Sequence, residues 1–177
     1  GTPLRFIAVF NLDALHSIGI DGPVVVDVGP PGDGPDHFLC YKAKTTPGTA
    51  AFQPLVVSLT DQFESLPAEV QKPVSLCTPA NKNGEGITDP ETHLKGYQIK
   101  PETAHVPVSG IKVVNQFGEL FVDTIKPDRL LVPTLKDLVN PVTLPDPFEP
   151  NVDHFKCYKV KVTPGTAKFP KGIQGTV

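Results

Sequence analysis

The chain has 177 residues with a formal net charge of -3, enough for one ordinary domain or two very small ones. Its 39% hydrophobic and 20% charged residues permit a buried core and argue against disorder, and the acidic balance removes most of the case for nucleic acid or an anionic membrane. With 21 Pro and 15 Gly, long helices are excluded, because each proline ring removes a donor and clashes with the preceding turn.

From the N-terminus, two β-rich runs come first, Leu4 to Asn11 and Val24 to Val28, joined by a connection around His16–Gly22. The stretch from Gly29 to Pro35 reads as a semi-rigid linker. The opening Gly1-Thr2-Pro3-Leu4 has neither an initiator Met nor a basic region followed by an apolar one, and it reads as a mature or trimmed terminus. No apolar run approaches the roughly 18 residues needed for a spanning helix.

Beyond residue 35 the chain repeats itself. Asp36 to Phe52 (DHFLCYKAKTTPGTAAF) recurs as Asp153 to Phe169 (DHFKCYKVKVTPGTAKF), with 13 of 17 positions identical. A weaker copy runs from His93 to Lys100. Asp61-Gln62-Phe63 is matched by Asn115-Gln116-Phe117, and Lys72–Pro79 by Lys126–Pro133. The organisation is therefore an N-terminal segment (1–35), a first unit (36–92), a second unit (93–152) and an incomplete third (153–177).

Each unit reads as three strands. Tyr41 and Ala43 fall on one face of the first, and Lys42 and Lys44 on the other. Phe38 and Cys40 have the wrong parity for that face, so a bulge or a strand start covered on both sides is expected. Leu39 is matched by Lys95 and Lys156, and Ala51 by Lys168, so these positions read as solvent-tolerant. Thr-Pro-Gly-Thr at 46–49 and 163–166 is a turn. The second strand is Leu55–Leu59, matched by Ile111–Val114. The third is ambiguous at Glu64–Gln71, which could form a short helix, but its counterpart Leu120–Ile125 is strand-like, and the strand reading is preferred. Pro-rich stretches at 78–92 and 139–150 separate the units. The sum is about ten short strands in an all-β sandwich or barrel-like body of tandem small units, expected to pack on one another because each is marginal alone.

The three cysteines, Cys40, Cys77 and Cys157, lack the close spacing of a zinc site. In the second unit the positions of Cys40 and Cys77 hold Gly96 and Leu131, so both members of the pair are lost together. That joint loss points to a Cys40–Cys77 disulfide, with two buried free thiols as the competing reading and a catalytic or metal-bound thiol behind it. Cys157 matches Cys40 but has no later partner, which leaves a free thiol or an intermolecular bond. A disulfide framework implies an oxidising, extracellular compartment.

The combination D-H-F-x-C-Y-K-x-K, D-Q-F-E and K-P-x-x-L-C-x-P-A-x-K-N-G-E resembles a tandemly repeated domain of unknown function in secreted bacterial proteins. The resemblance covers residues 36 to 177. It implies an exported, disulfide-containing β module and no particular activity.

Candidate chemistry is sparse. His37, His93 and His154 share one position of the repeat, where a hydrogen bond at a strand start is expected rather than a metal or pH-sensing role. His16 and His105 have no ligand-like spacing. Asn81–Asp89 has the look of a calcium loop, but Thr92 stands where the bidentate acid belongs, and a turn built on Asn83-Gly84 is the simpler reading. The alternating Lys42, Lys44, Lys159 and Lys161 suit either an acidic polysaccharide or the protection of a strand edge. There is no G-x-S-x-G, H-E-x-x-H or phosphate-cradling loop. The expectation is a non-enzymatic extracellular structural or surface-assembly protein, with no cofactor, no metal, no nucleic acid and no membrane span. Self-association by β-strand complementation, as a homo-oligomer or fibre, is expected. The competing class is a secreted carbohydrate- or surface-binding module without catalytic activity.

Overall fold

The computed structural model describes residues 7–8, 35–138, 140, 142 and 152–169. The Val24–Val28 strand, the Gly29–Gly34 part of the linker, His16 and most of 139–150 lie outside the described residues. Every described regular element is a strand: β1 (Ile7–Ala8), β2 (Phe38–Lys42), β3 (Leu55–Thr60), β4 (Ser65–Pro79), β5 (His93–Pro101), β6 (Ile111–Asn115), β7 (Gly118–Thr134) and β8 (Phe155–Val162). No described helix is long and apolar enough to cross a membrane.

All pairings are antiparallel, and the strands lie in one sheet in the order β1-β8-β7-β5-β4-β2, with β3 added to β4 and β6 to β7. The all-β class agrees with the composition. The barrel-like closure does not occur: the path ends at β2 on one side and β1 on the other, and these two are not paired.

One pattern governs the sheet. The start of β4 pairs with β3 (Leu55↔Val70 to Thr60↔Ser65), and its end pairs with β2 (Phe38↔Pro79 to Lys42↔Ser75). The start of β7 likewise pairs with β6 (Ile111↔Val122 to Asn115↔Gly118), and its end with β5 (His93↔Thr134 to Gln98↔Arg129). The opposite edge of each long strand takes the next strand of the β2 type, β5 on β4 and β8 on β7. On the far edge of β8 lies β1, with Ala8 opposite Tyr158 and Ile7 opposite Lys159. Tyr41 and Tyr97, which match Tyr158 in the repeat, face Leu76 and Leu130. β1 therefore occupies on β8 the position and direction that β4 has on β2 and β7 on β5.

The long strands were not foreseen. β4 has 15 residues and β7 has 17, where the sequence suggested a short strand followed by Pro-rich separators. The reason lies in where the prolines fall. Both strands shift register around the same Lys-Pro pair, between Val70/Lys72 and Pro73/Ser75 in β4, and between Thr124/Lys126 and Pro127/Arg129 in β7. At a bulge the ladder is already interrupted, so a residue without an N–H removes little. Pro73 and Pro127 then stand opposite Tyr97 and Tyr158.

Two apolar clusters hold the body together. One comprises Cys77, Leu94, Leu131, Phe155 and Cys157, with Phe38 and Val152 packed against it. The other comprises Ala68, Val70, Ile99 and Leu130, with Phe52, Val57, Leu59, Tyr97 and Val132 alongside. Burial of each large side chain contributes about 1.5–3 kcal/mol. The Thr-Pro-Gly-Thr turns form as the sequence implies: Gly48 and Gly165 have φ of 84° and 82°, and Thr49 and Thr166 N–H donate to the carbonyls of Thr46 and Thr163.

Candidate functional site

Two features stand out: a buried polar cluster that pins a hairpin onto β8, and the unpaired outer edge of β2. The first is built by the β3–β4 turn. Asp61 Oδ1 accepts the N–H groups of Phe63 and Glu64 at 2.8 and 2.9 Å, which fixes the turn and turns both carboxylates toward β8. Tyr158 Oη donates to Asp61 Oδ2 at 2.6 Å, and Lys156 Nζ donates to Glu64 Oε1 at 2.7 Å and lies 3.3 Å from Asp61 Oδ2. The Phe63 ring meets Tyr158 edge-on at 5.4 Å. His105 completes the group, with Nδ1 2.6 Å from Glu64 Oε2 and Nε2 2.8 Å from Thr124 Oγ1. Thr124 Oγ1 also accepts the Val108 N–H.

Burial alone pushes the carboxyls of Asp61 and Glu64 upward. Hydrogen bonds outweigh it, from Tyr158 and two backbone amides to Asp61 and from His105 and Lys156 to Glu64, so both lie below their ordinary values. Burial and the neighbouring carboxylates push the Tyr158 hydroxyl well above its usual range, so it stays a donor. The cluster has one ammonium, two carboxylates, a phenol and an imidazole, all holding one another. These contacts join the β3–β4 turn to β8 and, through His105, to Thr124 of β7.

This cluster corrects the sequence reading of Lys156. The match with Leu39 suggested a solvent-tolerant position, yet Lys156 is 7% exposed. The carboxylates of Asp61 and Glu64, 92 or more residues away in sequence, supply the charges that let it be buried. His105 was likewise missed. Its partners come from β7 and from the β3–β4 turn, and no spacing within the sequence brings them together. The one available signal was Asp61-Gln62-Phe63-Glu64, recognised as a repeat motif without a partner.

The other sequence candidates are distributed over the sheet. Cys40 and Cys77 stand directly opposite each other on β2 and β4 and form a disulfide, 37 residues apart in sequence. Cys157 carries a free thiol on β8, 1% exposed, with burial pushing its pKa to about 12. His37 Nε2 lies 2.7 Å from Glu85 Oε2, and His93 Nδ1 donates to the Glu91 carbonyl at 2.8 Å. Asn83 and Gly84 both have positive φ, as in a type I′ turn, and the ammonium that neighbours Glu85 belongs to Lys82, which also donates to Gln116 Oε1 at 2.7 Å. Among the described residues no group of His, Cys, Asp and Glu has metal-holding geometry. Lys159 and Lys161 face Asp128 and Asp123 at 3.2 and 3.7 Å, which neutralises half of the lysine row.

The second feature is β2. The Ala43 N–H donates to the Val74 carbonyl and the Ala80 N–H to the His37 carbonyl, so odd-numbered residues of this strand face β4. The backbone groups of Phe38, Cys40 and Lys42 therefore point away from the sheet, where no described strand pairs with them. Leu39 is 39% and Tyr41 55% exposed, whereas Tyr158, the copy of Tyr41 on β8, is 1% exposed. Exposed Leu55 and Val56 at the start of β3 extend the same edge of β4.

No family model, no curated protein and no solved structure matches this chain.

Proposed function

We propose that this protein is an extracellular structural, surface-assembly protein without catalytic activity, in which β units join edge to edge by strand addition and form a filament as they accumulate. The observation that carries this reading is the twice-used junction in which a long strand receives the first strand of the next unit, β4 with β5 and β7 with β8, beside an equivalent first strand, β2, with whose outer edge no described strand pairs. An unpaired edge that is also apolar invites another strand. The Cys40–Cys77 disulfide supports an oxidising compartment. Because β1 already lies on β8 within the chain, growth is assigned to the β2 side. The exposed strip of Leu39, Tyr41, Leu55 and Val56 also favours the second reading, a secreted surface-binding module, which would use the same edge.

Light scattering and negative-stain microscopy of the full chain, with and without reductant, test the proposal. Assemblies many times the 19.0 kDa chain mass are expected. A monodisperse monomer at high concentration overturns the assembly reading and leaves the binding module.

A further inference from the structure

We infer that the outer edge of β2 is an acceptor for an extended segment of sequence Lys-Pro-x-x-Leu-(Leu or Cys), presented by another polypeptide that carries the same unit. The inference deepens the assembly reading and rests on it for its biological sense, although the binding it predicts is measurable alone.

The chain contains two examples of the reaction. On β5 the outer edge takes β4, with Cys77 opposite Leu94, Leu76 opposite Lys95, Ser75 opposite Gly96, Pro73 opposite Tyr97 and Lys72 opposite Gln98. On β8 the same edge takes β7, with Leu131 opposite Phe155, Leu130 opposite Lys156, Arg129 opposite Cys157, Pro127 opposite Tyr158 and Lys126 opposite Lys159. The two registers are identical residue for residue, including the skipped position after the proline. β2 is the third copy of this acceptor strand, and its Phe38, Leu39, Cys40, Tyr41 and Lys42 occupy the same five places.

The register fixes what each position of the incoming strand must do. An apolar residue meets Phe38, extending the cluster of Cys77 and Leu94 in which Phe38 is only partly buried. A leucine covers Leu39, and proline packs opposite Tyr41, where a bulge makes its missing N–H harmless. The residue after the proline can pair with Lys42, as Asp128 pairs with Lys159 at 3.2 Å. A β7-type strand therefore fits better than a β4-type strand, which has Val74 there. In a second copy of this chain β4 and β7 are paired on both edges, so such a strand must leave its own sheet before it can be given. The donor is a neighbouring polypeptide whose strand of this kind is unpaired.

The test uses a fluorescent synthetic peptide of residues 124–134 (TIKPDRLLVPT), titrated with the full chain by anisotropy. Saturable binding is expected, lost when Leu130 and Leu131 of the peptide are both replaced by Asp. In the protein, Lys42→Pro removes an outward N–H that β4 does not use, and should weaken binding at least tenfold while leaving the disulfide and the far-UV spectrum unchanged. Hydrogen exchange gives an independent readout: the amides of Phe38, Cys40 and Lys42 should be open in the free monomer and slow at least tenfold with peptide. Absence of binding, equal affinity for Lys42→Pro, or amides already protected in the monomer, which would mean that the chain's own N-terminal segment covers the edge, each overturns the inference. Polymers without peptide binding would remove this inference alone, and peptide binding by a strict monomer would remove the assembly reading alone.

Discussion

Gly96 stands where the other two units carry Cys40 and Cys157, and a substitution there tests the sheet interior at one atom. A Cβ built on Gly96 would run into Ser75 Oγ more closely than any real side chain tolerates, and would lie 3.2 Å from Leu131 Cδ2 and 3.4 Å from Ser75 Cβ. Ser75 is 2% exposed, so its hydroxyl has little room to swing away, and that hydroxyl has no hydrogen-bond partner among the described residues. Overpacking of this kind costs about 1–3 kcal/mol, offset by about 0.5–1 kcal/mol because alanine loses less backbone entropy than glycine in a strand. Gly96→Ala should therefore destabilise by about 1–2 kcal/mol, or roughly 2–8 °C in Tm for a chain of this size. Ser75→Ala removes the obstructing oxygen and an unsatisfied buried hydroxyl, and alone should be neutral or stabilising. In that background the new Cβ meets only ordinary contacts, apart from a few tenths of an ångström against Leu131, and Gly96→Ala should become close to neutral. Thermal and urea denaturation of the four proteins closes the cycle, with a coupling of at least 1 kcal/mol expected. An equal cost for Gly96→Ala in both backgrounds would refute the claim that Ser75 enforces glycine at this position.

Two further predictions concern charge and sulfur. Asp61 and Glu64 have folded values below their ordinary ones, so the unfolded chain binds more protons as pH falls; their contribution is complete above the ordinary carboxylate range and is lost as pH drops through that range toward the lowered folded values. Stability followed by circular dichroism should therefore fall as pH drops through the carboxylate range, and Glu64→Gln should flatten that slope; an unchanged slope would refute the contribution of Glu64. Reducing Cys40–Cys77, which closes a loop spanning 37 residues of sequence, should lower stability by about 4 kcal/mol on the chain-entropy model, whereas Cys157 should stay unreactive toward a thiol reagent at pH 8 until the chain unfolds. Rapid native labelling of Cys157 would contradict its placement between β1 and β7.

Local chemistry was legible in the sequence to a good extent. The all-β class followed from proline content, the Thr-Pro-Gly-Thr turns from residue type, and the first and second strands of each unit from alternation or from their copies. Long-range placement was not. At Glu64–Gln71 a short helix stood against a strand, and the pairing shows the strand, with Pro67 in a regular ladder opposite Ser58 and, beyond it, Pro73 at a bulge opposite Tyr97. Neither expected explanation for the wrong parity of Phe38 and Cys40 holds on β2, which contains no bulge and whose residues 39–42 are exposed; cover on both faces occurs only at the matching positions of β8, where Phe155, Lys156, Cys157 and Tyr158 are all buried. Exposure of Lys156 was misjudged for the same reason that the Asp61–Glu64 partnership was invisible. Both depend on a turn from one unit landing on a strand from another.

The three copies of the first strand act as an internal comparison of sequence against surroundings. Tyr41, Tyr97 and Tyr158 are the same residue in the same strand position, and Tyr41 is 55% exposed, Tyr97 half-buried and Tyr158 buried. The side chain does not set that gradient, because it is constant. The neighbours do: among the described residues β2 has a long strand on one edge only, β5 has one on each, and β8 has β7, β1 and the turn of Asp61 and Glu64. Tyr97 and Tyr158 each have a strand on both sides, and at Tyr41 no described strand covers the outer edge. The departures in the second unit carry the same logic, since Gly96 admits Ser75 and Leu131 where the first unit uses a disulfide. The first unit thus packs this crossing point with a disulfide between two of its own residues, and the second with Gly96 against its own Leu131 and Ser75 of the first unit. The junctions β4–β5 and β7–β8 each join two units, and the edge of β2, with which no described strand pairs, is the place to look for a partner.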